Sequence, residues 1–337
     1  MKRALSIAFV YIGLVIGAGF ASGREIFEYF NIPSRSNFLG IILATLCFSL
    51  LAYIIIILAR KAGVSTFDEF LEDTASHAAP IIKIFMAAFM FCGYFVMLSA
   101  SGTLFENTLS LPFGLGVLSL SALCFFVFVF DISGIVIVST IMVPIMILGM
   151  AFLCIFASVC GLPAFSAFDD LKRNPLISSL CYVSYNTITA GAVLVPLAKS
   201  ATNRSLKGAA VLSGGVLGIL IFSVWFTLNI YYDAIFTAEM PLLELAAFHG
   251  NSFKIIYSLI LFMALCTTAI SHGFGLLSKF KFKSTTDRVI AAALFCLLAM
   301  PFAKFGFSLL ISKLYAVFGF LGLFWTGLVI YKYLKKA

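Results

Sequence analysis

The chain has 337 residues, of which 62% are hydrophobic and only 11% are charged. Soluble domains average about a quarter charged residues, so this composition excludes an ordinary water-soluble domain and favours a protein embedded in a bilayer. The net charge of +8 does not indicate a nucleic-acid partner, because the basic residues are spread over the connections between apolar runs.

The apolar residues fall into ten runs. A helix needs about 20 apolar residues to cross the hydrocarbon core, and runs that are continuous rather than alternating predict helices instead of a β-barrel. We therefore expect an all-α integral membrane protein with ten transmembrane helices. The runs lie at approximately 5–30, 38–59, 81–107, 112–130, 134–159, 176–198, 207–231, 252–278, 288–303 and 307–331.

Basic residues in the connections predict the orientation, because cytoplasmic loops carry an excess of Lys and Arg. Fifteen basic residues lie at the run ends on the N-terminal side of the membrane and five at the opposite ends. The expected location is a bacterial cytoplasmic membrane, crossed several times, with both termini in the cytoplasm. The five at the opposite ends are Arg35, Lys172, Arg173, Lys254 and Lys304.

The first run contains the sequence GAGFASG, with Gly17, Ala18, Gly19, Ser22 and Gly23 in close succession. Each glycine weakens a helix by roughly 1 kcal/mol relative to alanine. Non-helical backbone at membrane depth is tolerated only where it lines a cavity or is buried in protein. We therefore expect an unwound segment that contacts a solute; close helix packing through small residues is the alternative.

The sixth run has a similar polar stretch in residues 184–196. It contains Asn186, Thr187 and Thr189 within the span and Pro196 near its end. An asparagine at mid-membrane is costly unless it is hydrogen-bonded. The pattern predicts a second interrupted helix, with these polar side chains contacting the solute.

The two predicted interruptions lie in corresponding halves of the chain, each with five runs. An odd number of helices per half inserts the second half upside down relative to the first. We expect one transmembrane transporter domain, 1–337, built from inverted repeats 1–160 (helices 1–5) and 161–337 (helices 6–10). Interrupted helices at matching positions of such repeats indicate a transporter binding site.

These residues also carry a resemblance. The segment IGLVIGAGFASGREI resembles the first helix of the amino acid–polyamine–organocation carriers, which have the LeuT fold. Taken with YVSYNTITAGAVLVPLA, it resembles the YkvI-type family of bacterial membrane proteins. The resemblance implies a secondary transporter of small solutes that works by alternating access, with helices 1 and 6 unwound around the substrate.

The eighth run offers a candidate sodium site. Thr267 and Thr268 can place two hydroxyl oxygens beside one ion, with the Ala264 carbonyl one turn earlier, and hard cations prefer oxygen ligands. Sodium-coupled members of the LeuT fold have a similar arrangement, and the resemblance adds the carbonyls of Gly13 and Ile16 as ligands. The alternative is that both threonines bond back to their own helix.

Proton coupling is the alternative to sodium coupling. Proton-coupled relatives place a lysine from helix 5 where this sodium would lie, and the fifth run here has none. His272 favours protons instead, because it lies one turn after Thr268 and histidine titrates near neutral pH. It could also contact the solute or simply pack. Tyr94, midway along the third run, is a candidate for closing the solute pocket.

The solute itself is predicted from helix ends. A helix N-terminus carries partial positive charge and free N–H groups, so a helix beginning near Gly23 favours a carboxylate beside Gly19–Gly23. Ser22 could add a hydrogen bond, and an amine would contact the carbonyls of Ile16 and Tyr185. The expected solute is an amino acid or a related small organic anion.

Charged residues directly after the glycine cluster predict an outer gate. Arg24 and Glu28 are spaced to pair along one helix face, whereas Glu25 faces elsewhere. Lys313 in the last run lies at a similar depth, roughly 10 Å below the outer surface. We expect Lys313 to pair with Glu25 or Glu28 when the outer side closes; a static ion pair is the alternative.

Other classes of function fit less well. The three histidines are far apart in the sequence, and no HExxH, GxSxG or phosphate-binding loop is present, so an enzyme is not expected. A channel needs polar residues along the whole pore, and here they cluster at one depth. No cofactor is expected beyond a coupling sodium ion. A membrane sensor or assembly protein stays open as an alternative, because a transporter fold can lose transport.

Overall fold

The computed structural model describes residues 2–30, 37–160, 174–198, 203–280, 282–305 and 307–336. All the regular elements in these ranges are helical. The α-helices are α1 (Lys2–Val15), α2 (Ala18–Ala21), α3 (Arg24–Tyr29), α4 (Phe38–Ala62), α5 (Phe67–Ala75), α6 (Ala79–Leu109), α7 (Phe113–Val129), α8 (Asp131–Cys160), α9 (Pro175–Leu197), α10 (Asn203–Ile230), α11 (Tyr232–Ile235), α12 (Pro241–Phe248), α13 (Asn251–Leu277), α14 (Thr285–Ala299) and α15 (Phe307–Lys336). Two 3₁₀ segments, Ser76–Ala78 and Met300–Phe305, extend α6 and α14.

Eight helical stretches among the described residues are long and apolar enough to cross a membrane. Two shorter apolar helices, Ala4–Val15 and Phe113–Val129, correspond to the first and fourth predicted runs. The first is short because the run is interrupted after Val15. The chain is thus an all-helical, multi-pass membrane protein.

One face of α8 shows why a bilayer is the natural solvent for this fold. Large apolar side chains repeat along it at helical spacing and are more than 40% exposed. Water would disfavour such a stripe, whereas lipid chains cover it without cost. These residues are Ile137, Ile141, Ile145, Leu148, Phe152 and Ile155.

The core of the bundle lies around the first run. Helix α1 packs against α8, α9 and α10, while α2 contacts α13 and α3 contacts α9 and α10. Helix α13 packs on α6 and α8, and α15 packs on α9. Small residues permit close approach: a Cβ at Gly322 of α15 would lie 2.7 Å from the Ser184 carbonyl carbon of α9. The interrupted first run is therefore enclosed by other helices and kept away from lipid.

Two short helices lie between the long ones. Helix α5 begins with a capping box, in which Thr66 Oγ1 accepts from the Glu69 N–H at 3.2 Å and the Glu69 carboxylate accepts from the Thr66 N–H. Helix α12 begins at Pro241, whose missing N–H suits the first helical position. A second capping box, Ser284 with Asp287, starts α14.

The sixth run differs from its prediction: α9 is one continuous helix from Pro175 to Leu197. Its polar side chains bond back to carbonyls one turn earlier. Asn186 Nδ2 donates to the Tyr182 carbonyl at 3.0 Å, and Thr187 Oγ1 donates to the Val183 carbonyl at 2.6 Å. Thr189 Oγ1 donates to the Asn186 carbonyl at 2.8 Å. Because the helix itself satisfies these groups, their presence does not require unwinding.

Candidate functional site

The first interruption of the first run lies at Ile16–Gly17. The Ile16 N–H still donates to the Ile12 carbonyl at 2.7 Å, but the Gly17 N–H turns back to the Val15 carbonyl at 2.8 Å. Gly17 itself has an extended backbone, with ψ at −175°. The regular hydrogen-bond pattern of α1 ends there, in a part of the molecule where Ile16 and Ala18 are buried.

The second interruption lies at Ser22–Gly23. Gly23 has φ of 81°, in the left-handed region where a side chain is strained. The Ser22 hydroxyl donates to the Gly19 carbonyl at 3.0 Å and accepts from the Arg24 N–H at 3.3 Å. Ser22 therefore caps both sides of the break, and its hydroxyl is engaged in this structure.

Two neighbouring elements satisfy backbone groups of the short helix α2. The Tyr257 hydroxyl, on α13, donates to the Ala21 carbonyl at 2.7 Å. The Leu242 N–H, at the start of α12, donates to the Ser22 carbonyl at 2.9 Å. The last carbonyls of a short helix have no partner within it, and these two donors hold the end of α2 in place. The sequence did not indicate Tyr257, whose partner lies 236 positions away.

The structure brings Thr268 to the break. A Cβ added at Gly17 would lie 2.6 Å from Thr268 Oγ1, so the hydroxyl faces the Gly17 backbone. Thr267 and Thr268 each donate to the Ala264 carbonyl at 3.0 Å. Both threonines thus bond back to their own helix, as the alternative to a sodium site requires. A hydroxyl that donates nevertheless keeps acceptor lone pairs that can face an ion. Ile16 and Ala264 are both fully buried.

Gly13 lies against α8. A Cβ at Gly13 would meet Val143 Cγ2 at 2.5 Å and the Ser139 hydroxyl at 3.8 Å. Ser139 is buried and is a further hydroxyl near the predicted sodium site that the sequence pattern did not single out. Its position depends on how α8 packs on α1, which spacing along the chain does not reveal.

Two predicted solute contacts lie elsewhere in the bundle. Tyr94 donates its hydroxyl to the Cys296 sulfur at 3.3 Å and packs against Phe295 of α14, with ring centroids 4.5 Å apart. These contacts orient Tyr94 toward α14, and its role in closing the pocket stays a prediction. His272 is buried against the backbone of Gly93 and packs edge-on against Phe89.

The predicted role of the Tyr185 carbonyl is also not supported. Because α9 is continuous, this carbonyl accepts the Thr189 hydroxyl at 3.1 Å inside a regular helix. It is the side chain of Tyr185 that lies near the break, beside the carboxyl group of Glu25. Asn186, Thr187 and Thr189 likewise direct their hydrogen bonds along their own helix.

The predicted pair of Arg24 and Glu28 is present. Their side chains meet at 2.8 Å with about 30% exposure each. Arg24 also donates to the Ala238 carbonyl at 3.4 Å and lies 5.7 Å from the ring of Phe27. The side chain of Lys313 lies outside the described part of the chain, so its predicted pairing with Glu25 or Glu28 stays a prediction.

Glu25 takes a position that the sequence did not indicate. It is only 4% exposed, and its carboxyl group folds back over Gly19, where any Cβ would collide with it. The carboxyl group therefore lies directly on the segment between the two breaks. Beside it are the Tyr185 and Tyr182 side chains of α9.

Cavities open at both ends of the bundle. One of about 220 Å³ is lined on the predicted cytoplasmic side by residues including Thr66, Phe67, Pro196 and Arg288. Another of about 310 Å³, on the predicted outer side, is lined by residues including Asn107, Glu239, Glu244 and Lys254. The broken segment lies between them in the chain's path across the membrane.

Solved structures define the class. The Na+-coupled sialic acid symporter, in a substrate-bound outward-open state, matches with a TM-score of 0.65 over 97% of this chain and 78% of the symporter, at 14% identity. MhsT in complex with L-phenylalanine matches with a TM-score of 0.66 over 96% and 87%, at 15% identity. Mhp1, a nucleobase-cation-symport-1 family transporter, matches with a TM-score of 0.61 over 89% and 71%, at 13% identity. The chain is therefore a membrane protein with the LeuT fold.

Two relatives in Bacillus subtilis (strain 168) define the family. The membrane protein YkvI is 30% identical over 342 aligned residues, covering 98% of this chain and 96% of YkvI. YyaD is 26% identical over 333 aligned residues, covering 96% of each. No protein-family model matches the chain. The chain belongs to the YkvI-type family of bacterial membrane proteins.

Proposed function

We propose that this protein is a secondary transporter that moves a small solute across the bacterial cytoplasmic membrane by alternating access, driven by a sodium gradient. The observation that carries the proposal is the doubly interrupted first run, buried in the bundle, with the Thr268 hydroxyl facing Gly17. Broken helices at membrane depth expose backbone groups that can hold an ion or a solute. The fold shared with sodium-coupled symporters supports the same function.

The proposed sodium site combines α1 and α13. The carbonyls of Gly13 and Ile16 and the oxygens of Ala264, Thr267 and Thr268 are its ligands. An ion held between the end of α1 and α13 stabilises the conformation in which these elements lie together. A ligand shifts a conformational equilibrium by its difference in affinity for the two states, so sodium binding there would couple its gradient to the movement of α1.

The two cavities agree with alternating access. In the proposed cycle each cavity is the vestibule for one side, and the segment Gly17–Gly23 contacts the solute when both are closed. Proton coupling is the runner-up, favoured by the buried carboxyl group of Glu25. Sodium coupling and proton coupling differ in their response to salt and pH, so one experiment distinguishes them.

The test is thermal unfolding of the purified protein in sodium, potassium or choline chloride at equal ionic strength. Sodium at ten times its dissociation constant stabilises by about 1.4 kcal/mol, so we expect an unfolding midpoint a few degrees higher in sodium. Thr268→Val should remove this difference. Thr140→Val is the matched control, because Thr140 also back-bonds along its helix but is exposed on α8.

Transport itself is measured in proteoliposomes, with a solute found by the same unfolding assay. Uptake should require an inward sodium gradient and should be lost in Thr268→Val. Identical unfolding in all three salts, together with uptake driven by a pH gradient alone, would establish the proton-coupled alternative. Absence of any gradient-driven uptake would favour a sensor or assembly protein.

A further inference from the structure

The buried carboxyl group of Glu25 has no counterion in the described structure. Its Oε2 atom has no hydrogen-bond partner there, although the side chain is only 4% exposed. Arg24 is its neighbour in sequence but pairs with Glu28. A buried carboxylate without a cation is costly, so this arrangement indicates that a positive charge or a proton is missing from the described surroundings of Glu25.

Three tyrosine rings stand beside this carboxyl group. Tyr29 is one helical turn after Glu25 on α3, and Tyr182 and Tyr185 face it from α9. The ring centroids are 5.4 Å apart for Tyr29 and Tyr182, and 5.7 Å apart for each of the other two pairs. All three side chains are buried, and no described group hydrogen-bonds to the Tyr182 hydroxyl.

This combination favours one ligand chemistry. Tyrosine faces attract organic ammonium groups through their quadrupoles, and a carboxylate adds a charge-assisted hydrogen bond. An ionised Glu25 also repels a solute carboxylate. The interaction energy of two charges about 4 Å apart depends strongly on whether they are like or opposite, even at an effective dielectric of about 20. The position beside Gly19 that helix polarity alone would assign to a solute carboxylate is already occupied by the Glu25 carboxyl group.

We propose that the solute of this transporter carries a positively charged amino group, and that this group binds Glu25 between Tyr29, Tyr182 and Tyr185. The inference rests on the proposed function and refines it. It reverses the orientation expected from the sequence, because the ammonium end of an amino acid, or a simple organic amine, now lies on the segment between the two breaks. A solute that is only an anion is excluded from this position.

Gly19 is part of the same site. A Cβ there would collide with the Glu25 carboxyl group, so only glycine lets the carboxyl group fold back over the break. This gives a second way to displace the carboxylate while keeping the glutamate in the chain. Gly215 is the matched control, since a Cβ at this α10 glycine meets nothing within 4 Å.

The experiment measures binding to the full-length purified protein with matched probes. Each amino acid of a panel is compared with its methyl ester, which keeps the amine, and with its 2-hydroxy acid, which keeps the carboxylate. Benzylamine, ethanolamine and putrescine are added as simple amines. We expect stabilisation by amines and esters and none by hydroxy acids.

Variants then locate the binding group. Glu25→Gln should raise the apparent Kd of the bound amines by about ten- to a hundredfold, as expected for loss of a hydrogen bond to a charged group. Glu28→Gln should change it less than about threefold, because Glu28 pairs with Arg24 at a position about 30% exposed. Gly19→Ala should weaken amine binding, and Gly215→Ala should not.

Three results would overturn the assignment: no amine that binds the wild type, hydroxy acids that bind as well as the amines, or unchanged amine affinity in Glu25→Gln and Gly19→Ala. If Glu25→Gln alters only the pH dependence of stability, Glu25 is a proton site instead.

The sodium response of the wild type distinguishes the amine assignment from the proposed function. If sodium stabilises and amines do not, the amine assignment fails alone; if sodium has no effect and no solute is taken up, the proposed function fails as well.

Discussion

The segments α1–α3 and α9 are both buried near the middle of the bundle, and both contain glycine and hydroxyl side chains, yet only the first is broken. In α9 the polar side chains donate to carbonyls of their own helix, as Thr187 does to Val183. In α1–α3 two backbone carbonyls accept from other elements: that of Ala21 from the Tyr257 hydroxyl and that of Ser22 from the Leu242 N–H. The difference lies in where each segment finds its hydrogen-bond partners.

This comparison shows what an interrupted membrane helix requires. Three glycines between positions 17 and 23 remove both the helix preference and the side chains that would block neighbours. Thr268, Leu242 and the Glu25 carboxyl group occupy the space beside these glycines. In α9 the single glycine in the polar stretch, Gly191, packs against Phe67 and leaves the helix regular.

Proline substitution gives the largest expected contrast between the two segments. Ala190→Pro should cost about 3 kcal/mol or more, because it removes a hydrogen bond inside a continuous helix and clashes with the preceding turn. Ala18→Pro should cost clearly less. Ala18 is the first residue of α2, where proline is tolerated, and Gly17 before it is already extended. Thermal unfolding of the purified variants measures both.

Both alanines are almost fully buried, so the added ring atoms cost similar packing energy in the two variants. The difference between their losses of stability therefore comes from the backbone and not from packing. Equal losses in the two variants would contradict the described break at Gly17.

A smaller contrast comes from removing one hydroxyl that donates to a carbonyl of each segment. Tyr257→Phe leaves the Ala21 carbonyl without its partner from α13, and burying an unsatisfied carbonyl costs about 1–3 kcal/mol. Thr189→Val should cost less than about 1 kcal/mol, because the carbonyls of Tyr185 and Asn186 lie in a helix that already supplies donors. Unfolding midpoints of the two variants in the same detergent give the comparison. A larger loss in Thr189→Val would mean that α9 depends on its side chains for its shape.

Much of the architecture could be predicted from the sequence, because long apolar runs identify membrane helices. The break at Gly17–Gly23 also depends on residues close together in the chain. The state of α9 could not be predicted in this way. Asn186 and Thr187 fit both an unwound segment and a helix with back-bonded side chains, and the packing of α15 on α9 accompanies the second arrangement.

The chemistry of the site was harder to predict than its position. Glu25 was expected to face an outer gate, but the turn at Gly23 directs it back over Gly19. Two of its three tyrosine neighbours come from α9, more than 150 residues later in the chain. Contacts of this range depend on tertiary packing. Reasoning from helix ends, which placed a solute carboxylate beside Gly19, therefore could not predict the buried Glu25 carboxyl group at that position.

The central claim, that a coupling sodium ion binds between the end of α1 and α13, is tested most directly by hydrogen–deuterium exchange of the wild type and Thr268→Val in sodium and in potassium. In the wild type, sodium should slow exchange of amides 16–24 and 264–272 and leave those of 183–191 unchanged; in Thr268→Val the sodium effect should disappear. A wild type whose residues 16–24 exchange at the same rate in both salts, or a sodium effect confined to residues 183–191, would contradict the claim.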